Sequence, residues 1–168
     1  MILTPHTIVG AVIANITPTN PALGFSMAFA SHYLLDMLPH VDYDITHFLD
    51  KDNKSFKIVF GNTKSALHLL AIILDFFIGL TICLFLFVSD RRTLYITLVG
   101  VAGGVLPDIF QFLYFKFKVQ PFIFFQKVHD KIHYNIEKNK NGEIWGIIMQ
   151  IAIPIIFVTF YFLYKKFF

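Results

Sequence analysis

Between Ser65 and Val88 the chain runs through an apolar stretch interrupted only by His68 and Asp75. A helix rises about 1.5 Å per residue, so roughly 20 apolar residues cross the hydrocarbon core of a bilayer, and this stretch is long enough to span. Leu94 to Phe117 and Trp145 to Tyr164 form two further runs of that kind. The composition agrees: 56% of residues are apolar and only 15% charged, where soluble globular domains are nearer a quarter charged. The expected fold is therefore all-α, a polytopic membrane helical bundle, and 168 residues suit one integral membrane domain covering positions 1–168.

The remaining segments fill out this bundle. Thr7 to Ile16 is apolar but too short to span alone, so it reads as a half-helix or one arm of a hairpin, with Pro5 near the helix start. The amino terminus lacks the basic region and cleavage pattern of a secretory signal and is expected to belong to the mature fold. Thr17 to Pro21 is a turn, and a second helix is expected from Ala22 to Leu38. Val41 to Thr63 is polar and reads as a loop or surface helix. Gly103, Gly104 and Pro107 predict a kinked or broken helix near Pro107, with Asp108 in the first turn of the resumed helix, where the dipole favours negative charge. Lys116 to Asn141 is basic and aromatic and predicts a juxtamembrane helix carrying His129 and His133. Trp145 and Tyr164 are placed as interfacial anchors of the last span.

Ionisable residues inside apolar segments are costly, and they concentrate in SHYLLDMLPHVDYD, Ser31 to Asp44. His32 and Asp36 lie four apart, on one face of a helix. Pro39 disfavours helical geometry at Leu38, which leaves His40, Asp42 and Asp44 on the exit segment. His129 and His133 repeat the four-residue spacing that places two imidazoles on one face for a shared ion. LPHVD at Leu38 to Asp42 is echoed by LPDI at Leu106 to Ile109, as if two helix breaks met across one cavity. Asp75 and Asp108 are the acidic residues within the long apolar runs. For each group the plainer alternative is an interfacial or helix-pairing polar residue.

Charge placement supplies an independent constraint. With the first two pieces as a hairpin and the amino terminus inside, Lys51, Lys54, Lys57, Lys64, Lys116, Lys118, Lys127, Lys131, Lys138 and Lys140 fall on one side, and Arg91, Arg92, Lys165 and Lys166 on the other. The lysine-rich side is the inner one. That arrangement gathers His32, Asp36, His40, Asp42, His68, His129 and His133 at the inner face, with Asp75 and Asp108 in the adjoining membrane half; His6 lies on the same side with a weaker link.

Imidazoles and carboxylates without thiolates suit a divalent ion, zinc first and manganese or iron as alternatives, with candidates enough for more than one ion. The one cysteine, Cys83, excludes a cysteine-built zinc site and a disulfide framework. No serine nucleophile motif, phosphate loop or dinucleotide fingerprint occurs. The expected chemistry is hydrolysis by metal-activated water, with Asp42 and Asp75 as the candidate catalytic carboxylates. Location points to membrane lipid or a membrane-tethered phosphoester as substrate. The dispersed basic residues favour orientation and anionic head groups over nucleic acid. Two rivals are an ion, proton or metal transporter using His68, Asp75 and Asp108, and a membrane scaffold.

LTPHTIVGAVIA, SHYLLDMLPHVDYD, GGVLPD and the later paired histidines together resemble the bacterial inner-membrane proteins of the YdjM-like group of membrane-bound metal-dependent hydrolases. The likeness covers most of the chain in order. It implies a site in the bacterial cytoplasmic membrane facing the cytoplasm, with metal dependence on His32, Asp36, His40, Asp108, His129 and His133. More remotely, the HxxxD pair is similar to that of the zinc-dependent phospholipase C class. This chain lacks that class's amino-terminal ligand and carries HxxxH at His129 in place of HxxxE.

Overall fold

The structure, a computed structural model, describes residues 1–44, 63–134 and 141–167. Among these the regular elements are all helices: α1 Leu3–Ile16, α2 Pro21–Asp36, α3 Thr63–Phe87, α4 Arg91–Phe117, α5 Phe122–Ile132 and α6 Gly142–Phe167. Three of them, α3, α4 and α6, are long and apolar enough to cross a membrane, which makes a membrane protein the natural reading. Their outward faces carry side chains such as Leu74, Phe77, Phe85 and Ile156, which suit hydrocarbon and not water. The expected Val41–Thr63 segment lies outside the described residues from position 45 to 62, as do Lys138 and Lys140.

Helix α1 is the centre of the bundle. Its 14 residues rise only about 21 Å, and it is enclosed by α2, α3, α4 and α6, so that Thr7, Val9, Ala11 and Val12 are fully buried. It starts beside Asp75, halfway along α3, where Thr4 N–H donates to Asp75 Oδ2 at 2.9 Å. It ends beside the first turns of α4, where Asn15 Nδ2 donates to Thr97 Oγ1 at 3.0 Å. A half-length helix therefore fills one half of the bundle, where Ile8, Val12, Cys83, Phe87, Val101 and Tyr161 form a dry core. Beneath its amino-terminal turn the other half is left for polar side chains.

Close approach of backbones makes this enclosure work. A Cβ on Gly10 would strike the Gly100 carbonyl, and one on Gly104 would strike the carbonyl of His6. Small residues allow α1 and α4 to meet backbone to backbone, the usual device where helices gain little from burying apolar surface against each other.

Local signals set the helix ends. Asn20 caps α2 by accepting from Leu23 N–H at 3.0 Å, with Pro21 at the first helical position. Asp90 and Thr93 form a reciprocal capping box at the start of α4. Helix α2 closes at Asp36, two residues before the expected Leu38, because Leu38 N–H turns back to the Leu35 carbonyl as Pro39 approaches. The break expected at Pro107 is absorbed: α4 runs unbroken from Arg91 to Phe117 with Pro107 inside it. His133 is not on α5 with His129 but caps it in extended conformation.

Candidate metal centre

Five elements send polar side chains into the space below α1. His6 comes from the second turn of α1, His32 and Asp36 from the last turns of α2, His40 and Asp42 from the chain after it, Asp108 from α4, and His129 and His133 from α5 and its cap. His6, His32, Asp36 and His40 are at most 1% exposed. This is the convergence expected of the sequence candidates other than Asp75, with His6 a full member and not a peripheral one. Lys116, Lys118, Lys127 and Lys131 lie at this end of the bundle, and Arg91 and Arg92 at the opposite end beside the Thr17–Asn20 turn.

Asp36 is the hub. Its Oδ2 lies 3.0 Å from His32 Nε2 and 3.1 Å from His129 Nε2. Its Oδ1 lies 3.2 Å from His6 Nε2, 3.9 Å from His40 Nε2 and 3.1 Å from the Met1 amino nitrogen. Asp108 Oδ1 approaches His32 Nε2 at 3.6 Å from the other side. Nearer the surface, Asp42 Oδ1 lies 3.1 Å from His40 Nε2, and Asp42 Oδ2 3.5 Å from His133 Nε2.

The tautomers follow from the partners of the other ring nitrogens. His32 Nδ1 donates to the Gly104 carbonyl at 2.8 Å, His40 Nδ1 to the Leu38 carbonyl at 2.7 Å, and His133 Nδ1 to the Tyr134 carbonyl at 2.9 Å. A carbonyl only accepts, so each neutral ring carries its hydrogen on Nδ1 and presents a bare lone pair at Nε2. Those lone pairs face other acceptors: His40 Nε2 and His133 Nε2 are 3.1 Å apart, and His32 Nε2 faces two carboxylates. His32 Nε2, Asp108 Oδ2 and both ring nitrogens of His6 are buried without a hydrogen bond, and His6 Nε2 sits within 3.2 Å of Asp36 but off the line that a hydrogen bond needs. Buried acceptors aimed at acceptors are costly unless a proton or cation lies between them.

The two loop groups respond in that sense. Burial opposes charge on His133, but its contacts with Asp42 outweigh burial and raise its pKa above the ordinary histidine value. Burial likewise opposes charge on Asp42, yet His133, His40 and the Met1 amino group hold its carboxyl well below the usual carboxylate range. The carbonyl contacts at Nδ1 are also what orient metal-binding imidazoles generally. His, Asp and carbonyl-anchored rings without thiolate are a donor set for zinc, manganese or iron.

Neighbouring elements fix this geometry. The rings of His6 and His32 stack with centroids 3.9 Å apart, tying α1 to α2. Gln150 of α6 donates to the Val41 carbonyl at 2.7 Å, and Gly146 lets α6 close onto the His40 backbone, so the exit segment is held from both sides. Phe29 meets Phe110 and Phe125 edge on, Phe110 and Phe125 lie tilted against each other, and the three pin α5 against α2 and α4.

Asp75 stands apart from these groups. Both its carboxylate oxygens accept from the start of α1, Oδ2 from Thr4 N–H at 2.9 Å and Oδ1 from the Thr4 hydroxyl at 2.7 Å, and Tyr43 O–H also donates to it. A carboxylate at a helix amino terminus satisfies first-turn donors and complements the dipole, which accounts for an acidic residue midway along a membrane span. His68, half-buried on α3, is likewise outside the His/Asp groups. Asp75→Asn is expected to keep α1 seated, because the amide oxygen still accepts. Asp75→Ala leaves the Thr4 N–H without its partner, while the Thr4 hydroxyl keeps the Asp75 backbone carbonyl, at a cost of about 1–3 kcal/mol, read as a lower thermal midpoint in detergent with unchanged metal content per folded chain.

His6 carries little signal in sequence, being a single histidine with no partner at helical spacing. Thr4 and Tyr43 carry none, since Asp75 lies 71 positions from one and 32 from the other.

A cleft of about 470 Å³ opens sideways between α3 and α6, with Ile78 on one wall, Ile147, Ile151 and Ile155 on the other, and Thr4 and Pro5 of α1 as its floor. Asp75 and Gln150 supply polar lining beside these apolar walls, and none of the grouped His/Asp residues lines the cleft.

No protein-family model, curated protein or solved structure matches the chain.

Proposed function

We propose that the chain is a metal-dependent hydrolase of a phosphoester or phospholipid-like substrate, acting at the lysine-rich, cytoplasmic face of the bacterial inner membrane, as the YdjM-like resemblance implies. The observation that carries this proposal is the set of buried Nε2 lone pairs aimed at carboxylates and at one another, with the opposite ring nitrogens fixed by carbonyls. A divalent ion held by His32, Asp36, Asp108 and His129, zinc by preference, would polarise a phosphoryl oxygen and acidify bound water.

The protein's own part is positional. His6 stacks on His32 and keeps its ring in place, Gly104 fixes the His32 tautomer, and Gln111 lies 3.4 Å from His129 Nδ1, where its amide can orient that ring. Asp42 is 44% exposed at the side chain, the most open of the three carboxylates, and so is where water and substrate first meet the cluster. Ile78, Ile151 and Ile155 line the cleft with apolar surface at membrane depth, which suits an acyl or other hydrocarbon tail. Transport through His68, Asp75 and Asp108 has weaker support, because Asp75 is engaged by α1 and Asp108 faces His32.

Protein purified in mild detergent is expected to retain stoichiometric divalent metal and to hydrolyse a phosphodiester in a chelator-sensitive manner. Metal-free protein, together with no change in metal content on Asp36→Ala and His40→Ala, would sink the hydrolase reading. Filling the cleft with Ile151→Trp is expected to reduce turnover of a long-chain phospholipid several-fold, while a short soluble phosphoester is cleaved at the parental rate.

A further inference from the structure

The donors exceed what a single ion accepts. A zinc ion takes about four ligands in a structural or catalytic site, and octahedral ions take six. Here His6, His32, Asp36, His40, Asp42, Asp108, His129 and His133 converge, and they divide into groups whose ligand atoms lie within 4.8 Å of one another. His32, Asp108 and His129 form one group and His40, Asp42 and His133 another, with no residue in common. Asp36 belongs with both sides: it groups with His6 and His32, and again with His129 and His133.

The two groups also differ in surroundings. The inner one lies between α2, α4 and α5, with His32 fully buried, His129 8% and Asp108 26% exposed at the side chain. The outer one lies on chain segments after α2 and α5, with His133 24% and Asp42 44% exposed at the side chain. Each has its own lone-pair conflict. In the inner group His32 Nε2 faces Asp36 and Asp108; in the outer, His40 Nε2 faces His133 Nε2 at 3.1 Å with Asp42 alongside. A single divalent ion on one group leaves the other conflict to a proton or to a second cation.

Building on the metal-dependent reading above, we propose that the centre takes two divalent cations, an inner one on His32, Asp108 and His129 and an outer one on His40, Asp42 and His133, with the Asp36 carboxylate shared between them. A shared carboxylate suits Asp36 because its two oxygens point to different histidine sets, Oδ2 to His32 and His129 and Oδ1 towards His6 and His40. Paired ions of this kind steady the attacking and leaving oxygens of a phosphoryl group together, and the outer ion would meet the substrate first.

The test loads the full chain in detergent with Mn²⁺, counts ions by elemental analysis and records electron paramagnetic resonance. Two ions per chain with the signal of a coupled pair are expected. His133→Ala and His40→Ala, both outside helices, are expected to lose one equivalent and the coupling while keeping the inner ion and parental helix content. One ion per chain in the parent would overturn the two-ion centre and leave a single-metal hydrolase standing; two ions whose number is unchanged in both variants would overturn the placing of the outer ion on His40, Asp42 and His133. No bound ion at all would remove both proposals. If the variants failed to fold, the parental stoichiometry and coupling would still decide.

Discussion

Asp36→Asn is expected to abolish tight metal binding and hydrolysis together while the helical bundle persists. The carboxylate is fully buried and meets His6, His32, His129 and the Met1 amino group at 3.0 to 3.2 Å. Asparagine keeps the shape but removes the charge, and turns one oxygen into an N–H₂ that can only donate. Loss of a mere supporting contact around a metal costs roughly 10–100-fold in affinity, so loss of the central ligand is expected to exceed about 100-fold. The clearest readout is thermal. Ligand present at about 100 times its Kd stabilises a folded chain by about 2.7 kcal/mol, and that increment should vanish in the variant when metal is added. The metal-free variant is expected to melt below the metal-free parent, because the amide leaves the buried Met1 amino group without its Asp36 partner and breaking such a pair costs about 3–5 kcal/mol, so the metal-induced increment is read against each variant's own metal-free midpoint. An Asn variant that still holds parental metal would show that Asp36 is a structural partner of the histidines and nothing more.

The reach of the sequence followed the range of each interaction. The His32/Asp36 and His129/His133 spacings are local, and Pro39 marks where α2 must end, so both pairs and the turn between them could be read from neighbouring residues, although His133 caps α5 in extended backbone and does not share its helical face. The dipole argument for Asp108 failed, because α4 passes Pro107 without breaking and Asp108 lies in the interior of that helix, not in the first turn of a resumed one. A proline in a helix lacks one donor and crowds the turn before it, yet enclosure against α1 and α2 on the glycine side holds that helix together. What stayed out of reach was long-range. Asp75 looked catalytic because its cost in an apolar run demanded compensation, and the compensation is the start of α1, 71 residues away. His6 looked marginal because no periodic partner stands near it; its partner is a stacked ring 26 positions on. The short first helix looked like a fragment of a span, and its true role, a central half-length plug, depends on four neighbours that no local pattern encodes.

The glycine contact between α1 and α4 gives the second large effect, and it involves no ligand side chain. Gly104→Ala is expected to lower both stability and metal content, because the added Cβ would collide with the His6 carbonyl oxygen, while the Gly104 carbonyl itself fixes His32 Nδ1. A backbone cannot rotate away as a flexible side chain can, so the helices must separate. Overpacking of this kind costs about 1–3 kcal/mol. The same displacement moves His6 off His32 and swings the His32 Nε2 away from Asp36, which should weaken metal retention by at least 10-fold. Gly100→Ala strikes the Gly10 carbonyl and the Ala14 methyl farther from the histidines, so a similar loss of stability is expected there with a smaller loss of metal. Ala102→Leu on the exposed side of α4 adds more bulk where nothing is packed, and should change neither. Equal metal loss in the Gly104 and Gly100 variants would mean that the site responds to general loosening of the bundle, whereas a graded loss ties the ligand geometry to the point where α4 touches His6.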